Sequence, residues 1–133
     1  MPRLISETDM AIVCIFEEAE GEPYEGKVAV AEVILNRTKE KYESDGTVTG
    51  TVLHKMQFSG MNSDAVNRIR SFCIDDSNPI VQDCMKAWVA AQVGSDLTHG
   101  CVQYYNPKTS SPSWAEGATV LAEIGHHRFV KLK

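Results

Sequence analysis

Between Phe16 and Lys27 the chain reads FEEAEGEPYEGK, and two residues in it limit what the flanking segments can build. Gly21 accepts a left-handed helix exit and Pro23 cannot continue a helical hydrogen-bond ladder, so a helix arriving from the N-terminal side must stop here. The preceding segment has helical spacing. Ser6 stands as its cap, Glu7 and Asp9 suit its positive end, and Met10, Ile12, Val13, Ile15, Phe16 and Ala19 supply a broad apolar face. A first helix is expected over 6–20, then a turn at PYEG. A second helix is expected from about Gly26 to Lys41. Val28, Ala31, Ile34 and Leu35 share one face of it, and Val30 and Val33 widen that face, so this helix should be central and largely buried. The bend between the two carries five carboxylates, Glu17, Glu18, Glu20, Glu22 and Glu25, where mutual repulsion opposes folding.

Downstream, YESDGTVTGTV is a polar connection, TVLHKMQFSG carries a short helix or turn, and 64–72 reads as another. A third long helix has Asn78 as its cap and Pro79 as its first residue, with Met85, Trp88, Val89 and Val93 as the inward stripe. After Gly94 the character changes. GCVQYYNP and HHRFVKL are rich in aromatic and β-branched residues and read as short strands, with a loop and a last helix in SSPSWAEGATVLAEIG between them. The expected fold class is α+β, mainly α, with a small two-stranded antiparallel element near the C-terminus, in a single domain over 1–133.

At 133 residues, with 43% hydrophobic and 23% charged, the chain can bury a core without staples. A net charge of −5 with scattered basic residues argues against a nucleic-acid partner, because phosphate binding requires clustered Lys and Arg. No stretch reaches the roughly 18 to 20 apolar residues of a membrane span, so membrane insertion is not expected, and the N-terminus does not read as a signal peptide. Synthesis in the cytoplasm is the corresponding expectation. Cys14, Cys73, Cys84 and Cys101 lack metal-ligand spacing and are expected as buried free thiols, although a Cys73–Cys84 bridge is an open alternative. His126 and His127 are adjacent and, on a strand, would point to opposite faces, so a metal site is not expected, nor any cofactor. A monomer is the default assembly.

Glu18 is the candidate for chemistry. It falls in the last turn of the first helix, near carbonyls that present partial negative charge, and acidic neighbours surround it. Both influences, and partial burial, favour a protonated carboxyl suited to general-acid work such as glycoside cleavage. A hydrated helix end is the commoner explanation of such a charge run, and patterning alone does not choose between the two.

EAEGEPYEGKVAVAEVILNR, residues 18–37, resembles the opening signature of the cell-wall hydrolase family that includes spore-cortex-lytic enzymes and many phage endolysins. MQFSG at 56–60, CVQYYNP at 101–107 and IGHHRFV at 124–130 match later segments of that family in the right order. The resemblance implies a lysozyme-like domain, of the lytic transglycosylase type, acting on peptidoglycan glycan strands. It implies cleavage between N-acetylmuramic acid and N-acetylglucosamine, commonly with a 1,6-anhydro product, and assigns the catalytic glutamate to Glu18 and the second motif glutamate to Glu22. Glu20 and Glu32 depart from the residues that the family often carries there. The wall-binding repeats of cortex-lytic members are not found in the sequence, so a phage lysin, released by a holin or carried in the virion, is the expected setting.

Within that frame, Glu22 either orients the attacking hydroxyl or is a structural turn residue. Asn36 is read as capping the end of the second helix. Gln57, Ser59, Tyr104, Tyr105 and Asn106 are candidate substrate-binding residues, with one tyrosine inward and one outward. Phe58 and Trp88 are expected in the core and Trp114 at a cleft edge. The alternative function is a non-catalytic wall-binding domain that retains the fold. A metal-dependent amidase would need a ligand set that the spacing does not supply.

Overall fold

The computed structural model describes residues 6–54 and 75–133, and within them the break at 21–23 does separate two helices. These are α1 (Glu7–Ala19) and α2 (Tyr24–Glu40), followed by the short α3 (Val48–Val52) and then α4 (Pro79–Gln92). Strands β1 (Gln103–Tyr105), β2 (Thr119–Ile124) and β3 (His127–Lys131) follow, with a 3-10 turn at Ser113–Ala115 between β1 and β2. The segment at 56–60 with Gln57, Phe58 and Ser59, the expected helix over 64–72, and Cys73 lie outside the described residues.

Local chemistry explains where α1 begins. Ser6 accepts from the amide of Asp9 at 3.1 Å, and the Asp9 carboxylate accepts from the amide of Ser6 at 3.0 Å, a reciprocal cap that satisfies two orphan donors. Its exit differs from expectation. Gly21 is not in the left-handed conformation; instead the Lys27 ammonium reaches back from α2 and donates to the carbonyls of Glu20 at 3.3 Å and Glu22 at 2.6 Å. PYEG is not a separate turn either. Pro23 is the N-cap of α2, and its carbonyl accepts from Gly26 and Lys27, so Tyr24 and Glu25 already belong to the helix.

α2 is central, as its pattern predicts, because it is buried on two sides. Val28, Val30, Ala31 and Ile34 join α1, Val52 of α3 and α4 in one apolar cluster. Ala29 and Val33 turn the other way and pack with Cys101 and Phe129 beneath the sheet. Each buried Val, Ile or Phe contributes about 1.5–3 kcal/mol by leaving water, so the helix is fixed from both sides. Its C-terminal exit is Lys41, at φ 55°, as the pattern predicts, which leaves Asn36 and Arg37 inside the helix. Asn36 therefore does not cap the helix end. Its amide donates to the Cys101 carbonyl at 3.0 Å, tying α2 to the segment that leads into β1.

Asn78 caps α4 by accepting from the amides of Ile80 and Val81, with Pro79 as the first helical residue. The inward face is rotated from the expected stripe. Val81, Cys84, Ala87, Trp88 and Ala91 are buried, whereas Met85, Val89 and Val93 are exposed, Val93 to 80%. Small alanines face α2 because they let the two helices approach closely.

The C-terminal element has three strands, not two, among the described residues, in the order β1-β3-β2 and antiparallel throughout. TVLAEI, expected as a helix, is strand β2. It pairs with β3 across a tight turn at Gly125 and His126, and a register shift falls between Val120 and Ala122. Cys14, Cys84 and Cys101 are buried free thiols, and burial pushes Cys84 and Cys101 up to about 11. Among the described residues no helix is long and apolar enough to cross a membrane.

Candidate active site

The end of α1, the last turn of α2 and strand β1 converge on an open cleft of about 330 Å³. Glu18 lines it, together with Arg37, Tyr104, Tyr105, Asn106, Thr109, Ser110, Pro112, Trp114 and His127. A second hollow of about 370 Å³ adjoins it, sharing Tyr105, Ser110 and Pro112, so the recess continues along the surface. Glu18 is half-buried, one residue before the fully buried Ala19 that anchors the last turn of α1 in the core.

Of the five clustered carboxylates, Glu18 is the one that lines this cleft. Glu20 and Glu25 are exposed, and Glu22 is turned away. The helix stops at Ala19, so Glu22 does not stack over Glu18. The crowding is thus relieved by dispersal. Just past the end of α1, the Lys27 ammonium meets the carbonyls of the C-cap residue Glu20 and of Glu22.

Tyr104 and Arg37 line the cleft beside the candidate acid. The Tyr104 phenol is hydrogen-bonded to the Glu18 side chain, and burial, followed by the charge of Glu18, keeps that phenol protonated well above its ordinary range. Arg37 is 2% exposed, and its burial lowers its pKa; Nε donates to the Val102 carbonyl at 2.6 Å and Nη2 to Gln103 Oε1 at 3.3 Å. Arg37 therefore fixes the strand that carries both tyrosines while placing a cation beside the acid. Sequence reading gave it no role; a charge inside the apolar run VILNR was the available signal.

β1 divides its tyrosines as alternation requires. Tyr104 points inward, packing on Phe129 at 5.4 Å between ring centroids. Tyr105 stands at the rim, edge-on to Trp114 at 5.6 Å, and accepts from Arg128 at 3.4 Å. Both nonetheless line the cleft, and Trp114 sits at its edge as expected. Asn106 lines it too, although its side-chain oxygen accepts from the Lys108 amide at 3.0 Å to hold a turn. Gln57 and Ser59 are outside the described residues and enter no statement about this cleft.

Glu22 has its own partners. Its side chain is 7% exposed and accepts from the His126 amide at 2.7 Å, with His126 Nδ1 at 2.5 Å and His127 Nδ1 at 3.6 Å. Burial opposes its ionisation, but the hydrogen bonds from the His126 side chain and backbone and the two imidazole charges outweigh that and hold its carboxyl below the usual value. The two histidines thus converge on one carboxylate instead of pointing to opposite faces, because His126 occupies the turn and not the strand. Among the described residues no group of three or more His, Cys, Asp or Glu side chains is arranged to hold a metal ion.

A family model described as Cell Wall Hydrolase matches residues 21–130. The chain belongs to the cell wall hydrolase family. Curated relatives of this cell wall hydrolase include the spore cortex-lytic enzymes of Oceanobacillus iheyensis, 32% identical over 98% of the chain, and Bacillus subtilis, 30% identical over 97%. The chain spans less than half the length of these relatives, 44% and 39%. Its fold is that of the catalytic domain of SleB, described as a germination-specific lytic transglycosylase, from Bacillus anthracis. The TM-score is 0.76 at 30% identity, covering 98% of this chain and all of that one. The catalytic domain of the Bacillus cereus SleB protein superposes with a TM-score of 0.75 at 30% identity, covering 98% of this chain and 95% of that one. The lysozyme-like, mainly helical class expected from the sequence is therefore the observed one.

Proposed function

We propose that this cell wall hydrolase cleaves the glycan strands of peptidoglycan between N-acetylmuramic acid and N-acetylglucosamine, as a lytic transglycosylase. The observation that carries the reading is one half-buried carboxyl, Glu18, in the wall of an elongated cleft whose other walls are Tyr104, Tyr105 and Trp114. Aromatic faces and edges suit pyranose rings, and an extended recess suits a polymer better than a small metabolite. The SleB domain of the same fold, named as a lytic transglycosylase, supports the same bond.

In this reading Glu18 protonates the glycosidic oxygen as positive charge builds at the anomeric carbon. The C6 hydroxyl of the muramoyl residue then closes on that carbon, forming the 1,6-anhydro ring. Tyr104 holds the Glu18 side chain in one orientation by hydrogen bonding, and the cation of Arg37 steadies the carboxylate left after proton transfer. Tyr105 and Asn106 contact the sugars, and Glu22 acts from behind the cleft through the β2–β3 turn. The same bond serves two settings, a phage lysin and a cortex-lytic enzyme, and the relatives above belong to the second.

Digesting purified peptidoglycan and weighing the fragments tests this directly. Muropeptides ending in anhydro-muramic acid are expected. Reducing-end muramic acid would mean hydrolysis by the same acid. Free stem peptides would mean an amidase, and binding without any fragments would mean a wall-binding domain.

A further inference from the structure

His127 stands where two structural facts meet. It lines the Glu18 cleft, and it is packed behind by the carboxylate of Glu22. Its Nδ1 is buried without a hydrogen bond, and Glu22 Oε1 lies 3.6 Å from it. The ring rests edge-on against Tyr104, centroids 4.8 Å apart, and that same tyrosine is bonded to Glu18 on its other side. One phenol ring therefore separates the candidate acid from the imidazole.

The Glu22 oxygen 3.6 Å from Nδ1 is beyond hydrogen-bond reach, but its negative charge favours the tautomer with hydrogen on Nδ1 and leaves the lone pair on Nε2 as the basic site. Glu22 is built for this duty. The His126 amide and ring pin its oxygens, and Gly125 gives it room, since a Cβ there would lie 2.5 Å from Glu22 Oε1. We infer that Glu22 and His127 form a carboxylate–imidazole pair whose Nε2 takes the proton from the attacking hydroxyl in the Glu18 cleft. This rests on the glycosidase reading and adds a base to it.

The step balances. Glu18 gives its proton to the departing oxygen while the C6 hydroxyl oxygen forms its bond to the anomeric carbon. The hydroxyl proton passes to Nε2, and the imidazolium then returns a proton through water to the Glu18 carboxylate. The charged and titratable groups around His127 are Glu22 from the α1–α2 connection, His126 from the β2–β3 turn, Tyr104 from β1, Glu18 and Arg37 across the cleft, and Lys108, Glu123 and Arg128 around the neighbouring hollow that His127 also lines. Burial lowers the His127 pKa, which keeps the ring neutral and basic at neutral pH.

The test uses the full chain on purified glycan strands. His127→Ala should lower kcat about 100-fold or more, the usual contribution of a positioned base, with KM little changed. Added imidazole should restore part of the rate. The acidic limb of the kcat/KM profile should disappear, because that limb reports the free base. His127→Gln, which fills the space but accepts no proton, should melt near wild type and be equally slow. Rates within threefold of wild type in either variant would overturn the pair, as would a loss that imidazole does not rescue and that leaves the pH profile unmoved. Activity retained in Glu18→Gln would instead remove the glycosidase reading itself, so the two failures are distinguishable.

Discussion

Glu32 is a buried carboxylate, 3% exposed, in the middle of α2, and it gathers four donors. Ser95 Oγ donates to Oε2 at 2.6 Å and the Leu97 amide to the same oxygen at 2.9 Å. The Thr98 amide and hydroxyl donate to Oε1, both at 2.9 Å. Four donors match the acceptor-only character of a carboxylate. Replacing Glu32 by Gln keeps the shape and puts an NH2 group at one of the two oxygen positions. Whichever it takes, a backbone N–H, of Leu97 or of Thr98, then faces a donor. An unmet donor of this kind costs about 1–3 kcal/mol, and the surviving bonds lose charge assistance, so the total is about 2–4 kcal/mol. With a urea slope of about 2 kcal/mol per molar, the midpoint should fall by about 1–2 M. The consequence extends to the cleft. Glu32, Asn36 and Arg37 successively fasten 95–98, Cys101 and Val102–Gln103 to α2, and that stretch runs into β1 with its tyrosines. Urea unfolding followed by circular dichroism is the assay. An unchanged midpoint would refute the argument that this carboxylate anchors the loop.

The remaining predictions concern the turn behind the cleft. Gly125→Ala should lower the melting temperature, because the residue sits at φ 59° and the new Cβ would meet Glu22 and the Pro23 ring. The left-handed conformation alone costs an alanine about 1–2 kcal/mol, and glycan cleavage should drop as Glu22 is displaced. Acid should destabilise the fold in two windows. His127 is depressed below its ordinary 6.5, so from 6.5 downward the unfolded chain takes up a proton that the folded chain refuses, and stability falls with pH. Glu22 is depressed below 4.5 and adds a loss of the same sign below that value. Chemical unfolding from pH 8 to 3 measures both, and Glu22→Gln should flatten the lower window.

Local signals made much of this architecture legible. Ser6, Asn78 and Pro79 mark helix starts through short-range hydrogen bonding, so both N-termini are where the sequence puts them. The failures share a cause, which is that tertiary partners decided the outcome. TVLAEI contains good helix formers, yet it is a strand because β3 lies beside it. Met85, Val89 and Val93 are the larger apolar side chains of α4, yet Ala87 and Ala91 face inward because α2 comes close. α2 ends where its pattern put it, at Lys41, but Asn36 does not cap that end, because its amide is spent on the distant Cys101 carbonyl. In the cleft, Glu18, Tyr104, Tyr105 and Asn106 stand in the motifs that resemble the family, and Trp114, outside those motifs, lines the same cleft. Arg37 and His127 were not expected there, since a buried cation and a hairpin imidazole gain meaning only once residues distant in sequence meet.

The central claim is that Glu18 supplies the proton for glycan cleavage. Glu18→Gln preserves the side-chain shape and removes the acid, so purified glycan strands incubated with wild type and variant, under identical conditions and with matched circular dichroism, put the claim to its most direct test. Anhydro-ended fragments from the wild type and none above background from the folded variant are expected. Comparable fragment release from both would contradict the account.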